Sequence, residues 1–331
     1  MKLVVSALAS ILPQGEGIEF FNYLVYQGLP SRGLFSSVQA NEDVLLQNLK
    51  AQLLNQHAIN QSFDKTMCEK DILIKAEQSN SQLKGSFETA PNLFHALELA
   101  ATLVKSGVKR VNIYACELQD KQTCIDGVQK FSFAKSFDFP NIVSEIKGSQ
   151  FALAFSLEPY QENNTFYFSV LEDWGSALDK TLLKNIGVLE TLAYVNSKVI
   201  EGEFDFTSQD YEIALGSIAT TLGYQNTHLD VAAFMKAVLQ CYHRYIAAVP
   251  GWVNKNNDLP WEGSSFYICE NSKSWFVAGK NTPRYCLLNS FDGKHQHQRK
   301  QILLSDRGLD LERKSQYFSY VAPHFFPLAG N

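Results

Sequence analysis

The chain has 331 residues, is 45% hydrophobic and carries a net charge of −5 at pH 7, enough length for one to three domains and a sizeable core. Its acidic balance gives no electrostatic ground for nucleic acid or an anionic membrane as partner, and no apolar run reaches the roughly 18 residues of a membrane-spanning helix. The six cysteines, at 68, 116, 124, 241, 269 and 286, form no CxxC pair, a pattern that suits reduced thiols of a cytoplasmic protein better than a disulfide framework or a zinc site.

The opening MKLVVSALASILPQGEG is apolar, holds a single Lys and breaks at Pro13 without a small-residue cleavage site. It reads as a strand rather than a signal peptide. Within residues 90–117, the segment 91–106 predicts a helix that is apolar nearly all round. Its polar residues His95, Glu98, Thr102 and Lys105 fall on one face by their three- and four-residue spacing. Pro91 is expected in its first turn and Gly107 at its end, with VNIYACE following as a strand. Next, FALAFSLEP (151–159) and TFYFSVLEDW (165–174) alternate about a polar QENN turn and predict a hairpin. IGVLETLAYV (186–195) is a further strand. A second nearly all-apolar helix, 228–246, carries the stripe Lys236, Gln240 and His243. Such helices need near-complete burial, and two of them flanked by β segments imply a layered α/β protein with internal duplication.

One stretch is more specific. GSIATTLGYQNTHLDVAAFMKAVLQCYHRYIAAVPGW, residues 216–252, resembles the C-terminal half of a β-ketoacyl synthase, the thiolase-fold enzyme that condenses acyl and malonyl thioesters. Collinear echoes lie at 4–28 (opening strand, Gly/Pro loop, aromatic helix), at SFDFP (136–140), at the 151–174 pair, at 186–195 and at NSFDGKHQHQ (289–298). CYHRYIAAVPGW followed by SSFYICENSKSWF is similar to the ketosynthase-like portion of the acyltransferase-bearing subunit of bacterial polyunsaturated fatty acid synthases. The resemblance implies an α/β, five-layer α/β/α/β/α thiolase-like fold of two similar halves, residues 1–160 and 161–299. Residues 300–331 would be a C-terminal linker packing back on the body, because Tyr317, Phe318, Tyr320, Phe325 and Phe326 are too aromatic for a free linker.

The positions at which the resemblance places reactive groups hold none. The nucleophilic Cys would stand at a helix N-terminus, where the dipole favours thiolate, and that position is Ala90. The two His positions are Leu192 and Tyr224, and the Lys position is Ala219. Leu offers no donor to a thioester or enolate oxygen and a phenol only a weak one. Cys116 and Cys241 read as inert core thiols. His228 reads as a capping or partly exposed residue, and Glu190 as a buried carboxylate without a mechanism. His295 and His297 lie in a solvated KHQHQRK loop with no acidic or thiol partner to complete a metal site. No GxSxG elbow for acyl transfer is present.

The resemblance therefore implies a ketosynthase-like component, comparable to a chain-length factor, with no catalysis of its own and no cofactor or metal. Its partners would be a ketosynthase or acyltransferase domain and an acyl carrier protein, in a homodimer or heterodimer. Two other readings stay open. One is a thioester-processing enzyme, an acyltransferase or hydrolase, using a relocated thiol or Tyr224; the other is a fatty-acyl-binding scaffold.

Overall fold

Burial along the first strand announces the architecture: all ten residues of β1 (Leu3–Leu12) are buried, as a strand with neighbours on both edges and both faces requires. The computed structural model describes residues 1–29, 31, 35, 41–59, 68–75, 87–118, 137–138, 150–161, 167–175, 185–191, 212–222, 228–249, 254–255, 266–277, 282–290 and 300–309. After β1 come β2 (Gly15–Glu16), α1 (Ile18–Gln27), α2 (Glu42–Ile59), β3 (Glu69–Ile74), β4 (Glu88–Ala90), α3 (Leu93–Lys105), β5 (Arg110–Glu117), β6 (Phe137–Asp138) and β7 (Phe151–Pro159). The second half contributes β8 (Ser169–Gly175), β9 (Ile186–Thr191), β10 (Ile213–Ser217), α4 (Ala219–Leu222), α5 (Leu229–His243) and β11 (Tyr245–Ile246). It closes with β12 (Asn254–Lys255), β13 (Phe266–Ile268), β14 (Lys273–Ser274), β15 (Tyr285–Ser290) and β16 (Lys300–Ser305).

The two halves share one topology. From the centre outward the first runs β1-β7-β5-β3-β4 and the second β8-β16-β15-β9-β10, with β13 added at the edge. In each, the first three strands alternate in direction and the outer three run parallel. Each fifth strand, β4 or β10, feeds a central helix, α3 directly and α5 by way of α4. The halves meet where β1 pairs antiparallel with β8 over Leu3–Val5, as a local twofold axis between these strands demands. Side chains of α1, α3 and α5 share one core with residues from both half-sheets. Helix α2 covers the opposite face of the first half-sheet, packing Leu45, Leu46, Leu49 and Leu53 against Ala7, Ala9, Ile11 and Tyr114.

Beyond Val5, β1 has no pairing with β8, and α2 takes over. Gln56 accepts from Leu8 N at 2.9 Å and donates to Leu8 O, while Gln52 accepts from Ser10 N at 3.2 Å and donates to Ser10 O at 3.4 Å. Two side-chain amides four apart on a helix thus satisfy strand residues two apart, so a buried backbone edge is not left unpaired.

Several expectations need correction. The segments 151–159 and 165–174 do not form a hairpin, because β1 lies between β7 and β8. Alternation reports which face is buried, not which strand pairs. Residues 300–305, read as linker, are strand β16 inside the second half-sheet, and 310–331 lie outside the described residues. Pro91 precedes the helix it was expected to enter: Asn92 is the N-cap, its Oδ1 accepting from His95 N at 3.1 Å. Finally, α5 is buried from Leu229 to Tyr242, but α3 keeps His95, Glu98, Thr102 and Lys105 exposed. In α3 the polar stripe faces outward; in α5 Lys236 and Gln240 face an internal carboxylate.

Candidate functional site

The N-termini of the two central helices converge. Strand β4 ends at Ala90, 3% exposed, its carbonyl fixed by Lys75 N at 2.9 Å. Three residues later the amide of Leu93 opens α3 and donates across to Asp230 Oδ2 at 3.1 Å. The other oxygen of Asp230 accepts from Val231 N of its own helix at 2.9 Å. Burial pushes the Asp230 carboxyl above the usual range, against the neighbouring His228, which favours the anion. His228 occupies the N-cap position of α5 with no side-chain capping bond, and it is buried rather than partly exposed. Asp230 carries out the capping in its place. The sequence reading passed over Asp230, although an acidic residue in the first turn of an apolar helix is the signal that marks it.

Of the positions singled out from the sequence, Ala90 stands at this strand–helix junction and Ala219 begins α4. Leu192, Tyr224, His295 and His297 lie outside the described residues. Cys116, Cys269 and Cys286 are poor nucleophiles. Burial pushes Cys269 and Cys286 up, and burial together with Glu42 does the same to Cys116. Cys241 is buried on α5 and Cys68 exposed. No group of His, Cys, Asp and Glu among the described residues is arranged to hold a metal ion.

Glu190 is fully buried, as expected, but not alone. Lys236 Nζ lies 2.7 Å from its Oε1, with side-chain exposures of 2% and 0%. Gln240 Nε2 donates to the same oxygen at 2.8 Å, and Gln240 Oε1 accepts from Ala247 N at 2.8 Å. The spacing of Lys236 and Gln240 marked one helix face; the partner strand could not be read from it. Gly216, opposite Glu190 on β10, makes the room: a Cβ there would sit 2.1 Å from Glu190 Oε1.

A second buried cluster was not foreseen. His57 Nε2 lies 3.0 Å from Ser156 Oγ, and His57 Nδ1 lies 3.9 Å from Glu158 Oε1. This has the membership of a Ser-His-acid triad, but its protons run the wrong way. Ser156 donates to Asn112 Oδ1 at 2.7 Å, and Asn112 donates to Asp71 at 2.9 Å. His57 Nε2 must therefore carry a proton and donate to Ser156, so it cannot act as that hydroxyl's base. Ser156 is also wholly buried. Arg110, held by Glu158 at 2.8 Å and Glu69 at 2.6 Å, completes a structural network.

An α/β protein of two halves with equivalent strand order, whose fifth strands lead into paired central helices, has the thiolase-like fold. Solved ketosynthase domains share it. The oxazolomycin ketosynthase domain of Streptomyces albus JA3453 is 13% identical at a TM-score of 0.64, over 93% of this chain and 96% of that one. The ketosynthase from module 6 of the bacillaene synthase of Bacillus subtilis 168 is 12% identical at 0.67, over 92% of this chain and 72% of that one. The ketosynthase from module 1 of the bacillaene synthase of Bacillus amyloliquefaciens FZB42 is 15% identical at 0.63, over 92% and 75%. No family profile and no curated protein matches the sequence.

Proposed function

We propose that this protein is a non-condensing, ketosynthase-like component of a polyketide or polyunsaturated fatty acid synthase, working as partner or scaffold to a ketosynthase or acyltransferase. The observation that carries the reading is the strand–helix junction: a methyl group at Ala90, and beyond it a helix amide already bonded to Asp230. Acyl transfer to the protein needs a nucleophile. Loss of an oxyanion donor alone costs about a hundredfold to a thousandfold in rate. Pairing with a second thiolase-like subunit is supported by the outer edge of β4, which carries no further strand among the described residues, and by the exposed stripe of α3 beside it.

The test is incubation of the full chain with acyl and malonyl thioesters, followed by mass spectrometry. The expected outcome is no covalent adduct and no decarboxylation above background, unchanged by Ala90→Cys alone. Recovery of acylation should need Leu192→His and Tyr224→His as well. Turnover by the unaltered protein that disappears on one Cys or Tyr224 substitution would overturn the proposal in favour of relocated thioester chemistry.

A further inference from the structure

We infer that Asp230 is a resident counter-anion: its carboxylate fills the junction of the two central helices and bars that junction to thiolates, enolates and carboxylate-bearing acyl groups. The inference deepens the function proposed above and rests on it, naming the residue that closes the site. It starts from geometry. The carboxylate engages both helix ends at once, Leu93 N through one oxygen and Val231 N through the other, from a side chain in a residue only 9% exposed. Each helix N-terminus carries about half a positive charge, so the pair presents about one unit, which a single carboxylate offsets; burial works against that anion, and His228 with the amides of Leu93 and Val231 favours it. That leaves little of the field to hold an incoming anion. Meanwhile one donor that such an anion would use, Leu93 N, is already taken. An ordinary N-cap serves its own helix; Asp230 reaches from α5 to α3, across the two halves of the fold.

Ala90 lies three residues before Leu93 and so within about 11 Å of it along the chain, close enough for a thiol placed there to sense the charge. The experiment measures alkylation of the full-length Ala90→Cys protein by iodoacetamide across pH, with and without Asp230→Asn. With Asp230 present, the new thiol should titrate at or above the ordinary value of about 8.5. In the Ala90→Cys/Asp230→Asn protein its pKa should fall by about one unit, raising the rate at pH 7 by up to about tenfold. A second measurement follows the melting temperature in malonate against chloride at equal ionic strength. Malonate should stabilise Asp230→Ala specifically and leave the unaltered chain unmoved. The inference is overturned by a thiol pKa already depressed with Asp230 in place, by superimposable pH profiles in the two folded Cys-bearing proteins, or by equal malonate effects on the unaltered and Asp230→Ala chains. The first of these readouts needs no change at Asp230, so it holds even if that substitution prevents folding. None involves thioester turnover, so failure here is separable from failure of the proposed function.

Discussion

Removing Lys236 would strand the Glu190 carboxylate in the interior with Gln240 as its remaining donor. Breaking one side of a buried pair typically costs about 3–5 kcal/mol, whereas replacing both partners by shape-matched neutral groups is often neutral or better. Lys236→Met should therefore lower the free energy of unfolding by that order in urea titrations, and Glu190→Gln/Lys236→Met should recover most of it. Gly216→Ala should also destabilise, because the oxygen its Cβ would strike is pinned by Lys236 and Gln240 and cannot swing away. His57 gives a pH-dependent counterpart. Burial, and then Arg110, lower its pKa from 6.5 to about 3, so the folded state keeps the ring neutral while the unfolded chain takes up a proton below 6.5. The resulting stability is fully present above pH 6.5 and is lost as pH falls from there towards 3, with a slope of up to about 1.4 kcal/mol per pH unit. His57→Gln should flatten that part of the stability–pH curve measured by denaturant titration.

At the scale of elements, the clasp of Gln52 and Gln56 on β1 makes a sharper demand than helix packing alone. Gln56→Leu keeps the volume and apolar contact but leaves the N–H and C=O of Leu8 without these partners, at about 1–3 kcal/mol for a buried unsatisfied group. Thermal melts should show that loss, with a smaller one for Gln52→Leu, whose bonds to Ser10 are longer. Neither glutamine stood out in the sequence, because a polar residue on an amphipathic helix looks the same whether it meets water or a strand edge. The same limit applies to strand pairing. Periodicity located β1, β7, β8, α3 and α5 to within a few residues, since burial of a face is written locally. It placed β7 beside β8 because neighbouring segments usually pair, and nothing local to either strand says that β1 intervenes. Asp230, Glu190 with Lys236, and His57 with Ser156 escaped for one reason: each joins groups between 46 and 137 residues apart. A single sequence shows the members of such clusters without their meeting.

For the whole molecule, duplication was legible from two similar helices, and the topology extends it to five strands and a helix in each half. The halves have since been put to different uses. One buries Lys236 and Gln240 around Glu190; the other turns its stripe outward beside a sheet edge that carries no further strand among the described residues, where a second subunit would add surface without altering either core. Between them the sheet is bridged by only the pairings of Leu3, Val4 and Val5 with Leu171, Val170 and Ser169, while side chains from both halves interlock around α1, α3 and α5. Chain continuity between β7 and β8 is then a convenience of synthesis rather than a condition of assembly. Two separately translated fragments, residues 1–161 and 162–331, should find each other and reconstitute the native near-ultraviolet circular dichroism when co-expressed, each being poorly soluble alone. Fragments that fold independently and ignore one another would show instead that each half completes its own interior.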